Sequence, residues 1–187
     1  MNNLDTTELF ALGLAATNDA NPREALIALK ALLEIEPGHA EAWFLTAANH
    51  AQIGMYDRAM SEFTKALELN PELDVARLEL ALVQIVVGAQ ADAAVSAEQL
   101  AASAKTPALR KFGAALGAAL KEDLAQGIQL MGEAIAEAGE ATPLGQEMKK
   151  ILLRLQASAA EQKPAVEVTA DENSHLFLSA YSGRRAN

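Results

Sequence analysis

"AEAWFLTAANHAQIGMYDRAMSEFTKALELNP", residues 40–71, reads as two amphipathic helices separated at Gly54 and closed by Asn70-Pro71. Glycine and proline punctuate the stretch, and its apolar residues recur at helical spacing. Whether this unit stands alone decides the fold. The chain aligns with itself at a shift of 34 residues, without a gap, giving units that start at Thr6, Ala40, Asp74 and Ala108. The fifth position of each unit is bulky: Phe10, Phe44, Leu78 and Phe112. The eighth is always small (Gly13, Ala47, Ala81, Ala115), and so is the twentieth (Ala25, Ala59, Ala93, Gly127). Two small residues at fixed mid-helix positions let two helix backbones approach closely, while larger side chains fill the space beside them. One hairpin cannot bury its own apolar face, so such units must stack.

Composition agrees with an all-α chain. Apolar residues make up 51% of the 187 residues and aromatics only 4%, with the strong helix formers Ala and Leu prominent. The formal net charge is −10, which repels phosphate backbones and anionic surfaces, so nucleic-acid binding is disfavoured. There is no cysteine, which removes disulfides, thiolate metal sites and cysteine nucleophiles. The longest apolar run, Leu80 to Gly88, is too short for the roughly 18–20 residues that span a bilayer, so membrane insertion is not expected. The first basic residue is Arg23, after the acidic Asp5 and Glu8; a positively charged signal start is missing and a cytoplasmic location is expected.

Within the second unit Trp43, Ala47, Gly54, Tyr56, Ala59, Phe63, Ala66 and Pro71 resemble the signature of the tetratricopeptide repeat, a 34-residue helix-turn-helix module. His50 stands where that family usually has tyrosine, and Thr46 where it has leucine. The first unit matches through Leu12, Gly13, Ala25 and Pro37; the third and fourth keep the period but little of the signature. The resemblance implies a right-handed α-solenoid of about four hairpins, at residues 6–39, 40–73, 74–107 and 108–141. Thr142-Pro143 marks a helix start, and Leu144, Met148, Ile151, Leu152 and Leu155 share one face of a capping helix over 143–159, with Lys149, Lys150 and Arg154 on its wet side. Residues 161–174 carry Pro164 and scattered charge and read as a flexible linker. The tail 175–187 opens on "HLFLSAY".

No catalytic constellation emerges. His39, His50 and His175 have no metal-ligand spacing, and the glycines form no phosphate-cradling run. No cofactor or metal is expected, and the chain reads as a non-enzyme. The informative feature is a stripe on the first helix of each unit at positions five, nine, twelve and thirteen, which share a helical face. The resemblance implies that this stripe lines a concave groove where such proteins hold ligands. It reads Phe10, Leu14, Thr17, Asn18; Phe44, Ala48, Ala51, Gln52; Leu78, Leu82, Ile85, Val86; and Phe112, Leu116, Ala119, Leu120. The Lys, Arg and Asn clamp of chaperone-binding relatives is replaced by Phe10, Leu14, Leu45, Val75 and Glu79, so that function is not expected.

The expected role is therefore an adaptor holding an apolar peptide segment or helix in the groove. The chain's own tail is one candidate guest, docking through Leu176, Phe177, Leu178 and Tyr181 and able to mediate self-association. The tether from Glu161 to Ser174 extends to about 45–50 Å, so reach is not limiting. Burying those four side chains yields about 6–12 kcal/mol, against about 7–14 kcal/mol for ordering the seven-residue segment. Self-docking would be weak and displaceable. The alternatives are a dedicated chaperone resembling type III secretion chaperones for membrane-inserting clients, a docking subunit of an enzyme, and stacking of terminal repeats.

Overall fold

The computed structural model describes residues 4–161, and among them finds nine helices and no strand. They are α1 (Thr6–Asn18), α2 (Pro22–Ile35), α3 (Ala40–Gln52), α4 (Tyr56–Leu69), α5 (Asp74–Val86), α6 (Gln90–Ser103), α7 (Pro107–Leu120), α8 (Leu124–Ala138) and α9 (Pro143–Glu161). Each packs chiefly on its neighbours in sequence, so the helices form successive hairpins with α9 laid against α8. This is an all-α solenoid. The fourth hairpin begins at Pro107, one residue before its expected start, because Thr106 caps α7 by accepting from the Leu109 amide at 3.3 Å. Other starts are fixed the same way: Asp5 and Glu8 form a reciprocal capping box on α1 (2.8 and 3.0 Å), and Asn21 and Asp123 cap α2 and α8.

The turn inside every hairpin needs one residue in the left-handed region. It is the fifteenth of each unit: Ala20 (φ 52°), Gly54 (77°), Gly88 (77°) and Glu122 (65°). Glycine adopts this conformation without a Cβ penalty, whereas alanine and glutamate do not. The close approaches expected at the small positions are present. A Cβ on Gly127 would meet Ala115 O at 3.2 Å, joining the twentieth and eighth positions, and one on Gly13 would meet Leu29 at 2.7 Å. A tight contact between helices was not foreseen: at Gly113 a Cβ would lie 2.6 Å from Ala101 N and 2.7 Å from Ala97 O, both backbone atoms of α6.

The core falls into two clusters that meet at α5. Leu78, Leu82 and Ile85 join α6–α9 through Phe112, Met131 and Met148, whereas Ala76, Leu80 and Val83 join α1–α4 through Phe44, Phe63 and Leu29. At 3.6 residues per turn these two triplets lie on opposite faces of one helix. Nine of the thirteen α5 residues are consequently buried.

Each junction between hairpins carries the same lock, built from different residues. A side chain near the start of the incoming helix donates to the carbonyl six residues earlier: Trp43 Nε1 to Pro37 O (2.9 Å), Arg77 Nη2 to Pro71 O (2.8 Å), Arg110 Nη1 to Ala104 O (2.7 Å) and Gln146 Nε2 to Glu140 O (2.6 Å). The bond closes the loop that re-enters the stack and satisfies a carbonyl left over past the preceding helix end.

Two stability predictions follow from these contacts. Ala20→Gly and Glu122→Gly should each raise stability by about 0.5–1 kcal/mol in urea unfolding, because strain is relieved at φ 52° and 65°. Gly113→Ala should lower it by about 2 kcal/mol or more, since the two atoms it meets belong to a helix backbone that cannot rotate away.

Candidate functional site

The sequence-derived stripe runs along α1, α3, α5 and α7, and its members differ sharply in exposure. Phe44, Ala48, Leu78, Leu82, Ile85, Phe112 and Leu116 are buried, each at 5% exposure or less. Phe10, Leu14, Gln52, Val86 and Leu120 are half-buried. Positions five and nine thus sit in the core from α3 onward, and the thirteenth position edges toward solvent. On α1 the Phe10 ring stacks on His39 with centroids 4.9 Å apart, so an aromatic pair closes that end of the row.

Thr17 is not an open groove residue. Its hydroxyl donates to Gly13 O (2.7 Å) and accepts from Asn49 Nδ2 (2.7 Å), making a buried polar strut between α1 and α3. The tail residues Leu176, Phe177, Leu178 and Tyr181 lie outside the described residues.

Two buried carboxyls stand out beside this stripe. Glu79 of α5 is 1% exposed and neither of its oxygens has a hydrogen-bond partner; Glu147 of α9 is 6% exposed, with Oε1 accepting from Lys150 Nζ at 2.8 Å and Oε2 unpartnered. Burial, and then the like charge of Glu147, pushes the Glu79 pKa up to about 8. At neutral pH Glu79 therefore keeps its proton, which is how an apolar interior tolerates a carboxyl. The sequence reading placed Glu79 among the residues at the clamp positions and did not foresee its burial. The only signal was its place inside the apolar run "LELALVQIVV". Among the described residues no three His, Asp or Glu side chains group to hold a metal ion, and no helix is long and apolar enough to cross a membrane.

Residues 40–73 match the tetratricopeptide repeat family profile. The fold is that of a tetratricopeptide-repeat solenoid. It is similar to that of several solved structures. One is the MamA fragment "41-end" from Desulfovibrio magneticus RS-1, at 20% identity over 97% of both chains with a TM-score of 0.62. Another is a MamA RS-1 double mutant, at 21% identity over 97% of both chains with a TM-score of 0.62. A third is a tetratricopeptide repeat protein from Parabacteroides merdae, at 16% identity over 100% of this chain and 81% of the other, with a TM-score of 0.64. At these identities the likeness is one of fold. No curated protein sequence matches the chain.

The raised Glu79 pKa makes stability depend on pH in a defined direction. Between the ordinary value of 4.5 and about 8 the folded state holds a proton that the unfolded chain has released, so stability falls as pH rises through that window and levels off above it. The loss attributable to this group is on the order of several kcal/mol. Urea unfolding at pH 5.5 and 8.5 should show it, and Glu79→Gln should remove most of the difference between the two.

Proposed function

We propose that the protein is a non-catalytic adaptor that holds an apolar protein segment along the inner stripe of its first helices. The observation that carries this reading is the row of half-buried Phe10, Leu14, Gln52, Val86 and Leu120 bordering a continuous apolar lining on four successive hairpins. Gln52, Val86 and Leu120 recur at the same position of three successive first helices, a repeat that an extended strand or amphipathic helix can follow. The buried members, Phe44, Ala48, Leu78, Leu82, Ile85, Phe112 and Leu116, belong to the core and back that row.

The chain's own His175–Tyr181 segment is the local competitor for this stripe, because its ordering cost nearly offsets its burial gain. A tail balanced in this way shields the lining without blocking exchange, or passes to a second subunit. A dedicated chaperone for a secreted or membrane-inserting client is the second reading. What favours it is the third and fourth hairpins, whose stripe residues Leu78, Leu82, Ile85, Val86, Phe112, Leu116, Ala119 and Leu120 are apolar without exception.

A fluorescein-labelled peptide HLFLSAY should bind a chain truncated after Glu161 about tenfold more tightly than it binds the full chain, as fluorescence anisotropy would report. Val86→Asp and Leu120→Asp in the truncated chain should weaken binding by a comparable factor with the fold retained, since neither side chain is fully buried. Equal binding to the truncated chain and to both charged variants would remove the inner stripe from consideration.

A further inference from the structure

An open pocket lies on a different face of α3 from the inner stripe. Helices α2, α3 and α4 enclose its volume of about 410 Å³, within the usual range for small-ligand sites. Its floor is Thr46 and His50, both buried. These are the two positions at which the second unit departs from the repeat pattern, with threonine for leucine and histidine for tyrosine. In the third unit the position equivalent to Thr46 is Leu80, which fills its place at 8% exposure.

The pocket's chemistry is defined by what its groups already do. Thr46 donates its hydroxyl proton to Ala42 O at 2.8 Å, leaving its methyl toward other contacts. His50 Nδ1 bonds Glu62 Oε2 at 2.6 Å, so the Glu62 charge is engaged. Trp43 is held by its bond to Pro37 O, and with Leu26 and Leu33 it supplies apolar wall. Lys30 from α2 and Arg58 from α4 also line the pocket, and among the described residues neither forms an ion pair. Apolar walls over a floor whose polar groups are already bonded, flanked by the cations Lys30 and Arg58, select for a negative group on an apolar body. Glu34 at the same rim opposes a second negative charge.

We propose that this pocket binds a small apolar or aromatic carboxylate, with the ring or chain against Trp43, Leu26 and Leu33 and the carboxylate between Lys30 and Arg58. The site is separate from the inner stripe, and it adds small-molecule recognition to a protein-binding scaffold.

Trp43 is the single tryptophan of the chain, so its fluorescence reports the pocket directly. Titration of the full chain with 3-phenylpropionate should give a saturable change, and 3-phenylpropylamine and 3-phenylpropanol should bind at least about tenfold more weakly. Lys30→Gln with Arg58→Gln should raise the Kd for 3-phenylpropionate by about tenfold without shifting the thermal unfolding midpoint, because both side chains are exposed. Thr46→Leu with His50→Tyr restores the usual residues, fills the pocket and should abolish the response. If that pair perturbs folding, the exposed charge variants decide. A linear, non-saturating response, equal binding of the amine, or undiminished binding to the filled or charge-neutral variants would overturn the proposal.

Discussion

Helix α5 holds the molecule together because it is buried on two opposite faces at once. Leu78, Leu82 and Ile85 belong to the core of the later hairpins, and Ala76, Leu80 and Val83 to that of the earlier ones. A solenoid has no single central core, so cohesion passes from neighbour to neighbour. A helix shared by both clusters makes the two halves one stack. The same double burial explains why Glu79 is trapped on α5 without a partner: little of the helix surface is left for a side chain to reach water. Its carboxyl is accommodated by retaining a proton, which ties the stability of the central helix to pH.

The repeats have diverged in sequence while keeping their constraints. Each unit turns at its fifteenth residue in the left-handed region, whether that residue is Gly54, Gly88, Ala20 or Glu122. Each junction is closed by a donor to the carbonyl six residues back, whether the donor is Trp43, Arg77, Arg110 or Gln146. An indole, a guanidinium and an amide are interchangeable here because the geometry asks only for an N–H at a set reach. Signature residues can therefore disappear from the third and fourth units without loss of the stack.

The proposed roles divide between a row repeated along the array and a pocket between α2, α3 and α4. The row is a product of repetition, since every first helix presents the same positions. The pocket's chemistry comes from departure, since Thr46 and His50 stand on its floor where the repeat pattern has leucine and tyrosine. One suits an extended protein segment and the other a compact ligand. Only the first was visible as a periodic feature of the chain.

The sequence by itself determined the all-α class, the hairpin unit and its spacing, because a 34-residue period of small and bulky residues admits little else. It located the turn at Gly54 and the helix start at Thr142. It also marked the stripe at positions five, nine and thirteen, since helical periodicity fixes which residues share a face. Tertiary structure alone decided how deeply each of those residues is covered. Phe44 and Phe112 are almost fully buried while Phe10 and Leu120 are not, although all four belong to one periodic set. Burial depends on how helices distant in sequence approach, as at Gly113 against α6 and Glu79 near Glu147. Periodicity within one helix specifies direction and not distance, so it predicts which way a side chain points and leaves open what it meets.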